Sequence, residues 1–241
     1  MTISVAIVGA TGRMGKLAVS LIEASQEFTV HSMLDSKSEL SQTIGADVVF
    51  DLTLPEVSTT VVANAISNSQ RILVGTSGWS ASKLAKLEAD LSGGEAAVVV
   101  IPNFSIGSML ATRFAADAAR FFDSIEIVEA HHEHKIDSPS GTAVRTAELM
   151  AEARSGLTQP LITGVDQPAR GQVVAGIPIH SLRLKGVSAK QQVHLGGNSE
   201  MLTISHETNS IEAYSQGILM ALKFTASATG LTVGLDQVVK A

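Results

Sequence analysis

Apolar residues over the first hundred positions fall in short, dense runs. "ISVAIVG" (3–9), "FTVHSMLD" (28–35), "DVVFDLT" (47–53), "RILVGTS" (71–77) and "AAVVVIPN" (96–103) are rich in β-branched residues and stop at turn formers or acids. Such runs predict strands covered on both faces, as in a parallel sheet. Between them lie stretches with apolar residues at helical spacing: 13–24, a segment opened by Pro55, and "SASKLAKLEADL" (80–91). Strands alternating with helices predict an α/β fold, a Rossmann-type doubly wound parallel sheet.

After Asn103 the pattern changes. "GSMLATRFAADAARFF" (107–122) reads as an amphipathic helix, "SIEIVEAHHEH" (124–134) as a strand and "SGTAVRTAELMAEAR" (140–154) as a helix. A loop-rich stretch leads to three strand-like runs at 177–184, 189–197 and 200–208. These predict a second α+β domain on a mixed or antiparallel sheet. A last helix, 211–228, is expected to return to the first domain. The expected division is therefore 1–104 with 211–241 for the first domain and 105–210 for the second.

With 45% hydrophobic residues in 241, the chain has enough material for a substantial core. A net charge of −6 without basic clusters argues against a nucleic-acid partner held through phosphates. The absence of cysteine removes disulfides, thiolate nucleophiles and cysteine-ligated zinc. The amino terminus shows no signal-peptide pattern, and the run "AAVVVI" (96–101) is too short to cross a bilayer. The expectation is a cytoplasmic protein with a small-molecule partner and no membrane.

The first strand runs into "VGATGRMG", which places Gly9, Gly12 and Gly15 between strand and helix. Glycines there let the backbone turn tightly and let a pyrophosphate approach the helix amino end. The spacing departs from G-x-G-x-x-G, and an ordinary strand–helix turn would look similar. Position strengthens the reading, and so does Asp35, 20 residues beyond Gly15, where an acid accepts hydrogen bonds from a ribose diol. A nicotinamide dinucleotide is the expected cofactor, touched by Gly9, Ala10, Thr11, Gly12, Arg13, Met14 and Asp35. Two later strand ends add small and polar groups: Gly75, Thr76 and Ser77, then Pro102, Asn103, Phe104 and Ser105. Asp35 favours NADH electrostatically, but Ser36 and Lys37 can tolerate a 2′-phosphate, so the choice between NADH and NADPH stays open.

"EAHHEHKIDSPSGTA" (129–143) holds three of the seven histidines within four positions. On a strand His132 and His134 would share a face and could co-ligate a metal. The order His-His-Glu-His matches no H-E-x-x-H motif, and no metal is expected. Ser140, Gly141 and Thr142 open a helix whose amino end can hold a carboxylate. A plain helix cap after Pro139 is the structural alternative.

The stretch resembles the signature of the dihydrodipicolinate reductase family, Glu–x–His–His–x–His–Lys–x–Asp–x–Pro–Ser–Gly–Thr, at every fixed position from Glu129 to Thr142. "GATGRMG", "GTSGW" and "PNFSIG" resemble that family's cofactor motifs in the same order, and the resemblance spans essentially the whole chain. It implies NAD(P)H-dependent reduction of a cyclic dicarboxylate, (2S,4S)-4-hydroxy-2,3,4,5-tetrahydrodipicolinate, to tetrahydrodipicolinate with loss of water, in lysine and diaminopimelate biosynthesis. His131 and Lys135 are then the catalytic proton donors, and His132, Lys135, Ser140, Gly141 and Thr142 hold the substrate. A dinucleotide-binding first domain, a second domain for substrate and oligomerisation, a cleft between them and a homotetramer are also implied. Ser36 and Leu54 depart from the family, standing where many members carry a basic residue for the 2′-phosphate. Phe104 packs near the nicotinamide or fills core, and Asp137 orients Lys135 or sits idle in its loop. His134, His180 and His194 receive no role, while Arg183 and Lys185 read as a solvated basic edge. The rival readings are another Rossmann-type nicotinamide dehydrogenase and a non-catalytic NAD(P)-binding sensor.

Overall fold

A computed structural model describes residues 2–240 except 92, 93, 159, 161, 163, 165 and 166. The chain divides into two compact units, Met1–Ile106 with Ile211–Ala241, and Gly107–Ser210.

The first unit opens with β1 (Ile3–Val8), α1 (Arg13–Glu23), β2 (Phe28–Leu34), β3 (Val48–Asp51), α2 (Pro55–Ser67), β4 (Arg71–Val74), α3 (Ala81–Asp90) and β5 (Ala97–Val100). All pairings among these strands are parallel, in the order β2-β1-β3-β4-β5. Every residue of β3 and β5 is buried, which is why, up to Asp51 at the end of β3, their sequences are apolar without alternation. Val49, Ile72, Val74, Val98 and Val100 pack with Val61 and Val62 of α2 and Leu87 of α3. Each such fully buried aliphatic side chain contributes roughly 1.5–3 kcal/mol. Pro55 occupies the first turn of α2, and the Ser80 hydroxyl caps α3 by accepting from the Lys83 amide. β1 lies between β2 and β3, so the strand order reverses there and the loops after β1 and β3 flank the crevice where ligands of such sheets bind.

The second unit contains most of α4 (Ile106–Ala119), then β6 (Ser124–His131), α5 (Gly141–Ala153), β7 (Gln172–Val174), β8 (Ile177–Arg183), β9 (Ala189–Gly197) and β10 (Glu200–Thr208). Its sheet runs β10-β9-β6-β8-β7, with β6 and β8 parallel and the other pairs antiparallel. Alternation along β6 turns Ile125 and Ile127 into a core with Ala143, Ala147 and Met150 of α5. Glu129 is the next residue on that face.

The chain then returns through α6 (Ser215–Thr225), β11 (Gly230–Val233) and α7 (Leu235–Lys240). β11 extends the first sheet, parallel to β5. Three expectations need correction. The run expected as one helix over 211–228 is a 3-10 turn, Ile211–Tyr214, followed by α6. β7 and β11 were not expected: neither is fully buried, so neither reads as an apolar run. β6 ends at His131 rather than at 134, because the Lys135 amide donates to the His132 carbonyl (3.1 Å) and closes a turn. His132 and His134 therefore do not sit on the strand.

Candidate active site

The glycine loop is shaped by close backbone approaches. Gly9 has φ +88°, and a Cβ there would lie 2.6 Å from the Leu52 carbonyl oxygen. A Cβ on Gly15 would lie 2.2 Å from the Gly9 oxygen, so α1 packs onto the loop at a distance only glycine permits. The Gly9 and Ala10 amides both donate to the Leu34 carbonyl (2.9 and 3.1 Å), tying the loop to the end of β2 and to Asp35 beyond it. Gly12 caps α1 without a side-chain acceptor, and the first turn holds no acid. The helix amino end is thus left for an anion. Thr11, Gly12 and Arg13 are exposed, Met14 is half-buried and Ala10 is buried.

Asp35 is exposed, and its Oδ1 accepts from the Lys37 amide (2.9 Å) and the Ser38 hydroxyl (2.8 Å). These two bonds hold its carboxyl below the usual range. A cavity of about 470 Å³ brings Ala10, Thr11 and Lys16 together with Met33, Asp35 and Ser38. A helix amino end with no side-chain cap and an exposed, ionised carboxylate near the same cavity suit a dinucleotide.

The later loops are held from beneath. A Cβ on Gly75 would come within 2.8 Å of both Leu52 and Phe104 side chains. Phe104 is buried edge-on to Phe50 (centroids 5.8 Å apart, planes at 82°), so its ring fills core. Asn103 Oδ1 accepts from the amide of buried Ser105 (2.9 Å), while Pro102 and Ser77 are exposed. Thr76 is buried, its hydroxyl 3.3 Å from the Thr53 carbonyl. One residue that sequence reasoning passed over organises this region. Asp51, fully buried, accepts from the Thr53 amide and hydroxyl (3.0 and 2.6 Å) and from Ser58, which in turn accepts from Trp79 Nε1 (3.2 Å).

In the second unit the organising group is Glu129, 0% exposed. Its Oε2 lies 2.5 Å from His131 Nδ1 and 3.1 Å from Arg183 Nη1; its Oε1 takes Arg183 Nη2 at 3.0 Å and the Ser140 amide at 3.3 Å. Burial pushes the Glu129 carboxyl up, but hydrogen bonds from His131, Arg183 and Ser181 outweigh it and bring the carboxyl down to about 2. Arg183 is accordingly no solvated edge. It stands opposite His131 in the β6–β8 register, and it also donates to the carbonyls of Lys135 (3.3 Å) and Asp137 (2.7 Å). Lys185 does remain exposed, 3.9 Å from Glu133. The sequence signal for Glu129 was an acid in phase with Ile125 and Ile127; for Arg183 there was none, since its partners lie more than forty positions away.

Lys135 Nζ pairs with both Asp137 oxygens (2.7 and 2.8 Å), and that ammonium holds the Asp137 carboxyl low. His132 and His134 are exposed, their rings 6.4 Å apart. Among the described residues no three His, Cys, Asp or Glu side chains are grouped to hold a metal ion. Ser140 caps α5, its hydroxyl accepting from the Ala143 amide (3.2 Å). Both Ser140 groups are thus engaged, while Gly141 is exposed with open space around it and Thr142 is half-buried. The amides of Gly141 and Thr142 have no acceptor within the helix, and its first turn carries no acid. His180 is bound to Glu126 (2.7 Å) beside Arg170, and His194 contacts Thr203 (3.2 Å), both as sheet residues. The structure thus gathers His131, Ser140 and Arg183 on one carboxylate and ties the loop of Lys135 to the same arginine. Lys135 and the open α5 amino end each offer donors of the kind a carboxylate takes, and His131 is a group that can move a proton.

Comparison with known proteins gives the family. Residues 3–104 match the profile described as dihydrodipicolinate reductase, N-terminus, and residues 107–239 match dihydrodipicolinate reductase, C-terminus. The 4-hydroxy-tetrahydrodipicolinate reductase of Clavibacter sepedonicus is 57% identical over 99% of this chain and 87% of its own. That of Mycolicibacterium smegmatis is 40% identical over 96% and 97%. A dipicolinate-bound dihydrodipicolinate reductase from Paenisporosarcina sp. TG-14 superposes with a TM-score of 0.80 at 32% identity, covering 98% of this chain and 99% of that one. A myo-inositol dehydrogenase from Corynebacterium glutamicum shares the fold at 12% identity (TM-score 0.60), covering 95% and 90%. With both halves of the chain matched, the chain belongs to the dihydrodipicolinate reductase family.

Proposed function

We propose that this chain reduces (2S,4S)-4-hydroxy-2,3,4,5-tetrahydrodipicolinate to tetrahydrodipicolinate with loss of water, using NADH or NADPH, in lysine and diaminopimelate biosynthesis. The observation that carries the reading is the donor cluster at β6 and α5 in a chain 57% identical to a 4-hydroxy-tetrahydrodipicolinate reductase. The nicotinamide, when bound, supplies a hydride. The glycine loop with Gly9, Gly12 and Gly15 takes the pyrophosphate at the start of α1, Asp35 takes the adenosine ribose, and the 75–77 and 102–105 loops flank the nicotinamide half. Close glycine packing and an open helix amino end support that assignment.

Lys135, His132 and the amides of Gly141 and Thr142 bind a substrate carboxylate; Ser140 shapes that site through its cap. The 4-hydroxyl leaves with a neighbouring ring proton as water to give a conjugated imine; hydride addition to it puts negative charge on the ring, which His131 quenches by donating a proton. Lys135 is the second cationic donor, released by Asp137 as substrate enters. The enzyme works in the cytoplasm, where reduced nicotinamide is regenerated, as a homotetramer built through the second unit's sheet. The exposed edge strand β10 supports this assembly.

The test is loss of reduced-nicotinamide absorbance with substrate generated in place by the preceding synthase. Wild type turns over, and Lys135→Ala loses about 10²-fold or more in kcat/KM while still binding NADH. Absent wild-type turnover with intact NADH binding would instead support the sensor or other-dehydrogenase readings.

A further inference from the structure

Glu129 occupies a core position. It shares the inward face of β6 with Ile125 and Ile127, and its side chain is shut off from solvent. An apolar residue there would hold the sheet as well, because a buried ion pair adds little net stability over a well-packed hydrophobic replacement. What an apolar residue cannot do is act on two of the groups that touch the carboxylate. One is His131 Nδ1, at 2.5 Å. The other is Arg183, which grips Glu129 with two nitrogens and also donates to the carbonyls of Lys135 and Asp137.

We propose that Glu129 and Arg183 are positioning residues of the reductase: Glu129 fixes the tautomer and orientation of the His131 ring so that Nε2 alone delivers the proton, and Arg183 locks that dyad in register with the loop that carries Lys135. An ionised carboxylate only accepts hydrogen bonds, so the nitrogen facing it must carry the hydrogen. Nδ1 is therefore a permanent donor to Glu129, and the mobile proton resides on Nε2. His131, 18% exposed, keeps contact with solvent while its inner edge is held. Arg183 supplies what keeps this arrangement fixed. Its charge holds Glu129 ionised, and its remaining donors set the height of the 135–137 loop relative to the end of β6. The two proton donors are thus coupled through one guanidinium, although neither Glu129 nor Arg183 touches substrate.

The inference rests on the reductase reading, and the experiment separates the two. Ring ¹⁵N spectra of selectively labelled wild-type protein, with His131 assigned by comparison with His131→Gln, are recorded at a pH where the ring is neutral. The expected result is a single tautomer protonated at Nδ1; a ring protonated at Nε2, or an even mixture, overturns the proposal whatever the protein catalyses. Glu129→Gln, whose amide can donate or accept, is expected to give mixed tautomers. Its kcat should fall about 10²-fold with KM little changed, and Glu129→Asp should recover part of the loss. Wild-type kcat in folded Glu129→Gln would also overturn it. If Glu129→Gln does not fold, the wild-type spectrum decides. Absent wild-type turnover with the expected tautomer would sink the reductase reading and leave the dyad geometry standing.

Discussion

Asp35 shows how far a single side chain can set cofactor choice. Its carboxylate is ionised and held by Lys37 and Ser38 at the rim of the cavity that also contains Lys16. A 2′-phosphate would bring like charge against it, and neither Ser36 nor Leu54 offers a cation in return. NADH should therefore be preferred. Asp35→Asn should raise the NADPH-to-NADH ratio of kcat/KM by about tenfold at low salt, and less at high salt where screening weakens the repulsion. An unchanged ratio would mean that Lys16 or Lys37 already neutralises the acid. At this scale the sequence was readable wherever a residue acts through its neighbours along the chain. Asp35 and the Lys135–Asp137 pair belong to that class. Arg183 and Asp51 do not, because what they do is decided by groups brought to them through strand pairing and loop packing.

Elements were legible where the apolar signal was long or unmixed. β3 and β5, buried on both faces, announce themselves in four residues because all four are covered. β11 has the same length but is no more than half-buried, so its sequence carries no such mark, although it completes the sheet beside β5. α6 was expected as part of a helix over 211–228 returning to the first domain, but its seat there was hidden, since that depends on one missing side chain. A Cβ on Gly217 would lie 1.9 Å from the Phe104 carbonyl oxygen, so the helix rests directly on the backbone of the 102–105 loop. Gly217→Ala should force the two apart and destabilise the first unit by about 1–3 kcal/mol or more. NADH affinity should fall with it, since the same loop is assigned to the cofactor. Denaturant midpoints together with NADH titration check this. An unchanged midpoint would show that α6 can shift without cost.

For the whole molecule, the period changes after Asn103, from covered strands to an amphipathic helix and alternating strands, and the chain divides into two units after Ile106. The proposed assembly has no such mark in the sequence, because an edge strand that joins a partner reads like any other half-exposed strand. β10 runs nine residues, pairs on one side with β9, and lays Met201 (70% exposed) and Leu202 (39%) at the surface. A long edge with apolar side chains and no bulge or proline invites pairing, and a protein that leaves it bare risks open-ended association. The proposed closed assembly through this sheet would remove that hazard. Sedimentation at micromolar concentration should accordingly give four chains of 25.1 kDa, about 100 kDa. Met201→Glu places a charge in that seam and should shift the mass toward smaller species without unfolding the protomer, because the side chain contributes nothing to the core of its own unit. A wild-type mass of a single chain would sink the tetramer, and a Met201→Glu variant that stays at four chains would move the interface away from β10.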